Sequence, residues 1–258
     1  MSLRALLRNI CTGVEIYYTG RTEEEYLKTA FVLCDDYTEL TSKLWLRENV
    51  TNWSDNLDRE QRRHQVALAA VVQKVKDEGT FQPDVVDWFE KEIPRDRFKN
   101  YHRLQDDIRE ALQTDTAKLF DVGIMFRRMS LRREQRNGFF HSAQLLSLTI
   151  GKNECVEAFC DLLDYGRLLF GASWDDELAG ARNLDIMQVL LRLEKRTANN
   201  PALRDKINLV FEKWTLNETA TKKGSMVVRY PNDLHLRLCV IHGDSELRTK
   251  LQTLLDSQ

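Results

Sequence analysis

Between Arg21 and about Glu48 the chain has few folds open to it, because Tyr26, Ala30, Leu33, Tyr37, Leu40 and Leu44 recur at spacings of four and three. Leu27, Phe31, Cys34 and Trp45 form a second seam beside them. That period belongs to a helix, and two adjacent seams predict one long helix with a wide buried face. With only 11 glycines and four prolines in 258 residues, little interrupts further helices, and the predicted class is mainly α.

The same reasoning predicts a helix over 58–77 that stops near Gly79, a short one from Val85 to Lys91 after Pro83, and a polar one from Asp96 to about Gln113. From Thr116 to Arg136, Leu119, Val122, Phe126 and Met129 share one helical stripe, and Arg128, Arg132 and Arg136 share the stripe next to it. The Asn137-Gly138 dipeptide then predicts a sharp turn. A helical region follows from His141 to Phe170, interrupted at Gly151, with Val156, Phe159, Cys160 and Leu163 facing inward. Beyond Gly171, helices are expected near Asp185–Arg196 and Ala202–Trp214. Met226, Val228, Tyr230, Leu234, Leu236, Leu238 and Val240 alternate around Pro231-Asn232-Asp233, which predicts a β-hairpin before a final helix. A boundary near residue 175 separates a helical bundle domain over 1–175 from a smaller C-terminal accessory region over 176–258.

The formal net charge of −2 gives the whole molecule no bias toward nucleic acid or acidic membrane, so any basic patch must be local. Cys11, Cys34, Cys155, Cys160 and Cys239 are scattered and form no CxxC pair. They read as buried free thiols in a reducing, cytoplasmic setting. The opening MSLRALLRNI has two arginines within its apolar stretch and no cleavage-site pattern, and no run is long enough for a membrane span.

Glycine-loop, GxSxG, HExxH and zinc-spacing motifs are missing, so no cofactor and no metal are expected. An arginine followed by a histidine remains. Every histidine has one: Arg59 for His64, Arg97 for His102, Arg136 for His141, Arg229 for His235 and Arg237 for His242. Only Arg136 is followed by Asn, in RNGFFH at the end of an arginine-bearing helix.

Arg136, Asn137 and His141, set between two long helices, resemble the motif of HEPN domains, the higher eukaryotes and prokaryotes nucleotide-binding family. The resemblance covers roughly residues 21–172 as an HEPN-like helical bundle. It implies a homodimer whose two motifs share a cleft and act as a metal-independent endoribonuclease, often a toxin or an anti-phage effector with an antitoxin or other regulatory partner. Arg136 would hold phosphate through paired hydrogen bonds, and His141 would exchange protons with the ribose 2′-hydroxyl or the leaving 5′-oxygen. Asn137 would orient one or the other. Arg127, Arg128, Arg132 and Arg133 would follow the RNA backbone.

Plainer readings stand beside these. The motif also fits a turn whose histidine caps a helix, and an arginine-rich helix is often a solvated face paired with acids elsewhere. His64 and His102 read as surface residues, and His235 with Arg237 as the solvent side of the hairpin. Tyr17, Tyr18, Trp45, Trp53 and Trp88 read as core. A non-catalytic helical module that binds RNA, a nucleotide or a partner protein is the alternative function.

Overall fold

The computed structural model describes residues 1–20, 23–53, 101–141, 149–178, 180–181, 184–207, 209 and 245–256, with helical positions 66, 69, 70, 73 and 77. Side chains at 101–102, 138–141, 245–248 and 254–255 lie outside this description. Of the described residues 87 per cent are helical and none is in a strand, so packing is helix against helix. The elements are α1 (Leu3–Thr19), α2 (Glu24–Asn49), α3 (Tyr101–Ala111), α4 (Thr116–His141), α5 (Lys152–Phe170), α6 (Ala172–Leu178), α7 (Leu184–Thr197) and α8 (Ser245–Asp256), with a further helical stretch over 201–207.

The chain divides into two compact units, one of Met1–Thr41 with Phe120–Gln258 and one of Ser42–Leu119. The division falls within α2 and α4. Residues on both sides of 175 belong to the first unit, where α6 and α7 pack on α1 and α5. The core of this unit joins Leu6, Leu7, Ile10 and Val14 of α1 to Phe159, Leu162 and Leu163 of α5 and to Ile186, Leu190 and Leu191 of α7. Gly13 and Gly166 set close approaches in this core. A Cβ at Gly13 would stand 2.9 Å from the Tyr37 ring, and one at Gly166 would overlap the Trp174 indole.

Local signals start and stop these helices. The Ser2 Oγ accepts from the Ala5 amide at 3.3 Å to begin α1, and Asp115 Oδ1 accepts from the Lys118 amide at 3.0 Å to begin α4. Gly171 ends α5 with φ +58°, a left-handed conformation that favours glycine. In the second unit Leu44, Trp45, Leu104, Ile108 and Leu112 are buried, and the Trp53 indole donates to Asp107 at 2.9 Å.

Two local expectations change. The long helix over 24–49 is present, but Tyr26 is exposed and Leu33 and Leu40 are half-buried. Its buried face centres on Leu27, Phe31 and Cys34. The expected turn at Asn137-Gly138 is absent, because α4 runs unbroken through both residues to His141. The helix cost of Asn and Gly, about 1 kcal/mol per residue, is small beside the packing of a 26-residue helix. The hairpin over 226–240, the helix at Val85–Lys91 and most of those over 58–77 and 202–214 lie outside the described residues.

Candidate functional site

Helix α4 presents its arginines to acids on both of its neighbours within the first unit. Arg136 Nη2 donates to Asp36 Oδ1 at 3.0 Å, and its Nε lies 3.6 Å from Asp35 Oδ2. One turn back, Arg133 Nη2 donates to Glu39 Oε2 at 2.9 Å, and Nη1 lies 3.6 Å from the same Asp35 oxygen. Three carboxylates of α2 thus hold two guanidinium groups. Asp35 is buried, Asp36 is half exposed, and both arginines are mostly covered.

Burial raises the Asp35 carboxyl above the usual carboxylate range, and the attraction of Arg133 and Arg136 pulls it back only in part. The charged form is thus costly there even with two guanidinium groups close by. Asp36, nearer the water, forms the weaker kind of ion pair that a competing anion displaces without great loss.

A second cluster lies on the same helix. Asp161 of α5 is buried, and its Oδ1 accepts from Arg128 at 3.2 Å while its Oδ2 accepts from Arg132. Lys195 of α7 approaches Oδ1 at 3.5 Å. Between the clusters Phe31, Cys34, Thr38, Met129 and Ala158 line a cavity of about 10 Å³. It has room for about one water and for no substrate.

Of the candidate site residues, the structure brings Arg132 and Arg128 onto one carboxylate and Arg133 and Arg136 onto others. Asn137 is exposed on the following helical position. His141 lies five residues beyond Arg136 on a continuous helix, which separates the two by about 140° around the axis and about 7.5 Å along it. They do not share a helix face. The His141 side chain lies outside the described residues.

The acids were the residues that sequence reasoning did not single out. Asp35 and Asp36 stand next to Cys34 in the middle of an apolar helix, and Asp161 follows Cys160 on the inner face of α5. A carboxylate inside such a run signals a buried partner, and the arginine stripe of α4 is that partner. Among the described residues no group of three or more His, Cys, Asp or Glu is placed to hold a metal, and no helix is long and apolar enough to cross a membrane.

No family model matches the chain, and neither a curated protein nor a solved structure matches it.

Proposed function

We propose that the chain is an HEPN-type, metal-independent endoribonuclease that works as a homodimer, with Arg136 and His141 catalytic and Asn137 assisting. The observation that carries this reading is the placement of all three motif residues at the C-terminal end of α4, one helix that also bears Arg128, Arg132 and Arg133. Arg136 is held at a fixed position by Asp35 and Asp36, and an RNA phosphate that displaced the half-exposed Asp36 would meet a guanidinium already oriented. Stabilising the developing phosphorane would be its task, while His141 moves the proton of the 2′-hydroxyl or the 5′-oxygen. Products would carry 2′,3′-cyclic phosphate and 5′-hydroxyl ends.

The homodimer has a second support. Phe120, Ile124 and Leu131 are exposed apolar residues of α4, at spacings of four and seven on its outer side. A second copy packed on that seam would bury them on the helix that ends in the motif. Ile124→Asp with Leu131→Asp is expected to leave a folded monomer in sedimentation and to abolish cleavage. A dimer that persists at unchanged affinity places the interface elsewhere.

The reading is tested by incubating a mixed RNA pool with purified protein in excess chelator, wild type against His141→Ala. Cyclic-phosphate ends from the wild type alone support it. Intact RNA with both proteins sinks it, provided both are folded and dimeric. One observation favours a second reading, a non-catalytic helical module: Arg133 and Arg136 are already matched by three carboxylates of α2. RNA that is bound but never cut, with wild type and variant alike, is the result that reading requires.

A further inference from the structure

The two clusters on α4 differ in how many carboxylates meet their cations. Arg133 and Arg136 face Asp35, Asp36 and Glu39, two cations against three carboxylates. Arg128, Arg132 and Lys195 face Asp161 alone, three cations against one carboxylate. In the first cluster the carboxylates outnumber the guanidinium groups paired with them. The second is two positive charges in excess. Arg132 and Arg136 are only one turn apart, about 6 Å along the helix, so the two clusters adjoin.

We propose that Arg128, Arg132 and Lys195 form a seat for a phosphate group, with Asp161 as the buried post that positions them. Asp161 is 3 per cent exposed and receives all three cations, two from α4 and one from α7. Such convergence brings like charges together. At an effective dielectric near 20, neighbouring unit charges a few ångströms apart repel by several times thermal energy, and a single carboxylate offsets only part of that. An added oxyanion relieves the rest. Among the described residues no other carboxylate meets Arg128 or Lys195; the nearby Asp164 is taken by Arg192 at 2.7 Å.

Exposure then separates the roles. Arg132, 16 per cent exposed, is a fixed wall of the seat, whereas Arg128 at 54 per cent and Lys195 at 37 per cent reach solvent. A guanidinium carries five N–H donors and an ammonium three, so both can hold Asp161 and a phosphate oxygen together. An excess of two positive charges matches the dianion of a phosphate monoester or two successive phosphodiesters of one strand. The ligand class follows from charge and donors alone, so the inference goes beyond the ribonuclease reading and does not depend on cleavage.

The test is titration calorimetry on the full chain with three probes: inorganic pyrophosphate, a short 2′-O-methyl RNA with a 5′-phosphate, and the same strand with a 5′-hydroxyl. The 2′-O-methyl group blocks attack, so a failure of the catalytic reading leaves this result unaffected. Arg128→Gln with Lys195→Gln is expected to weaken binding by about tenfold or more. Arg128→Lys with Lys195→Arg keeps the charge and retains most of it. Glu177→Gln, at the exposed pair with Arg4 outside both clusters, does not weaken binding. Pyrophosphate and the 5′-phosphate strand binding alone identify a terminal phosphate as the ligand; equal binding of both strands identifies the backbone. Absence of binding by all three probes overturns the seat, as does binding that the double substitution leaves unchanged. Arg128→Gln alone, at a half-exposed position, carries the same test if the double variant fails to fold.

Discussion

The first unit is built differently on its two sides. Where α1, α5 and α7 meet, apolar side chains are fully buried, and Gly13 and Gly166 admit aromatic rings that no larger residue would. Where α2 meets α4, guanidinium groups and carboxylates line the contact, with Phe31, Cys34 and Met129 beneath them. The first arrangement gains stability from area removed from water and from close packing. The second gains little net energy, because desolvating a charge costs about what its partner returns. Stability thus resides where the apolar faces of α1, α5 and α7 pack, and the polar groups able to meet a ligand gather around α4.

The largest expected effect tests the packed side. In Gly166→Ala the new methyl meets the Trp174 ring, and the variant should lose about 3 kcal/mol of stability in urea denaturation. A loss below about 0.5 kcal/mol would show the ring moving aside freely, and the contrast between the two sides would fail.

Next come the buried thiols of α5. Burial pushes Cys155 and Cys160 up to about 12 from an ordinary 9.0. Because the folded value is the higher one, the stabilising contribution is complete below about pH 9 and declines as pH rises toward 12. Each thiol should remove on the order of 1 kcal/mol per pH unit in that window, read from denaturation midpoints between pH 8 and 11. Cys11, Cys34, Cys155 and Cys160 are all buried and should resist alkylation in the folded protein at pH 8, then react on unfolding. Rapid modification of any of the four without unfolding would contradict this packing.

A smaller effect probes the ion-paired side. Burial holds the Asp35 carboxyl above its usual value, so its contribution to stability is present at acid pH and is lost as pH rises through the folded value. Asp35→Asn should therefore gain stability relative to wild type as pH rises from 4 to 7, measured by thermal unfolding at each pH. A relative loss over the same range would mean that Arg133 and Arg136 more than repay the burial of this charge. The smallest effect belongs to the exposed pair of Arg4 with Glu177 at 2.8 Å, where Glu177→Gln should change stability by less than about 0.5 kcal/mol.

Periodicity made the helical class legible, and with it the long helices over 24–49, 116–141 and 152–170. These runs are long enough for a seam of apolar residues to repeat several times. The N-terminal helix was not singled out from MSLRALLRNI, although eight of its 17 residues are buried and Ser2 caps it. Its arginines sit on the exposed side of a strongly one-faced helix, and only the fold shows which side that is. The arginine stripe of α4 was also legible, since its spacing is local. Its partners were not, because Asp35 and Asp161 lie 98 and 29 residues from the arginines they meet, and pairing over such distances leaves no periodic trace. Asn137-Gly138 misled for the opposite reason: a local turn preference yields to the packing of the helix around it.

Trp174 carries a consequence of a different kind. Its indole is fully buried between Gly166 and Phe170, and among the described residues its Nε1 hydrogen meets no acceptor. An indole excluded from water and donating to nothing emits at shorter wavelength than one in solvent, and its emission moves to the red once water reaches it. With Trp45, Trp53, Trp88 and Trp214 replaced by phenylalanine, the colour of this one ring would report when α5 and α6 part, separately from any change among the charges of α4.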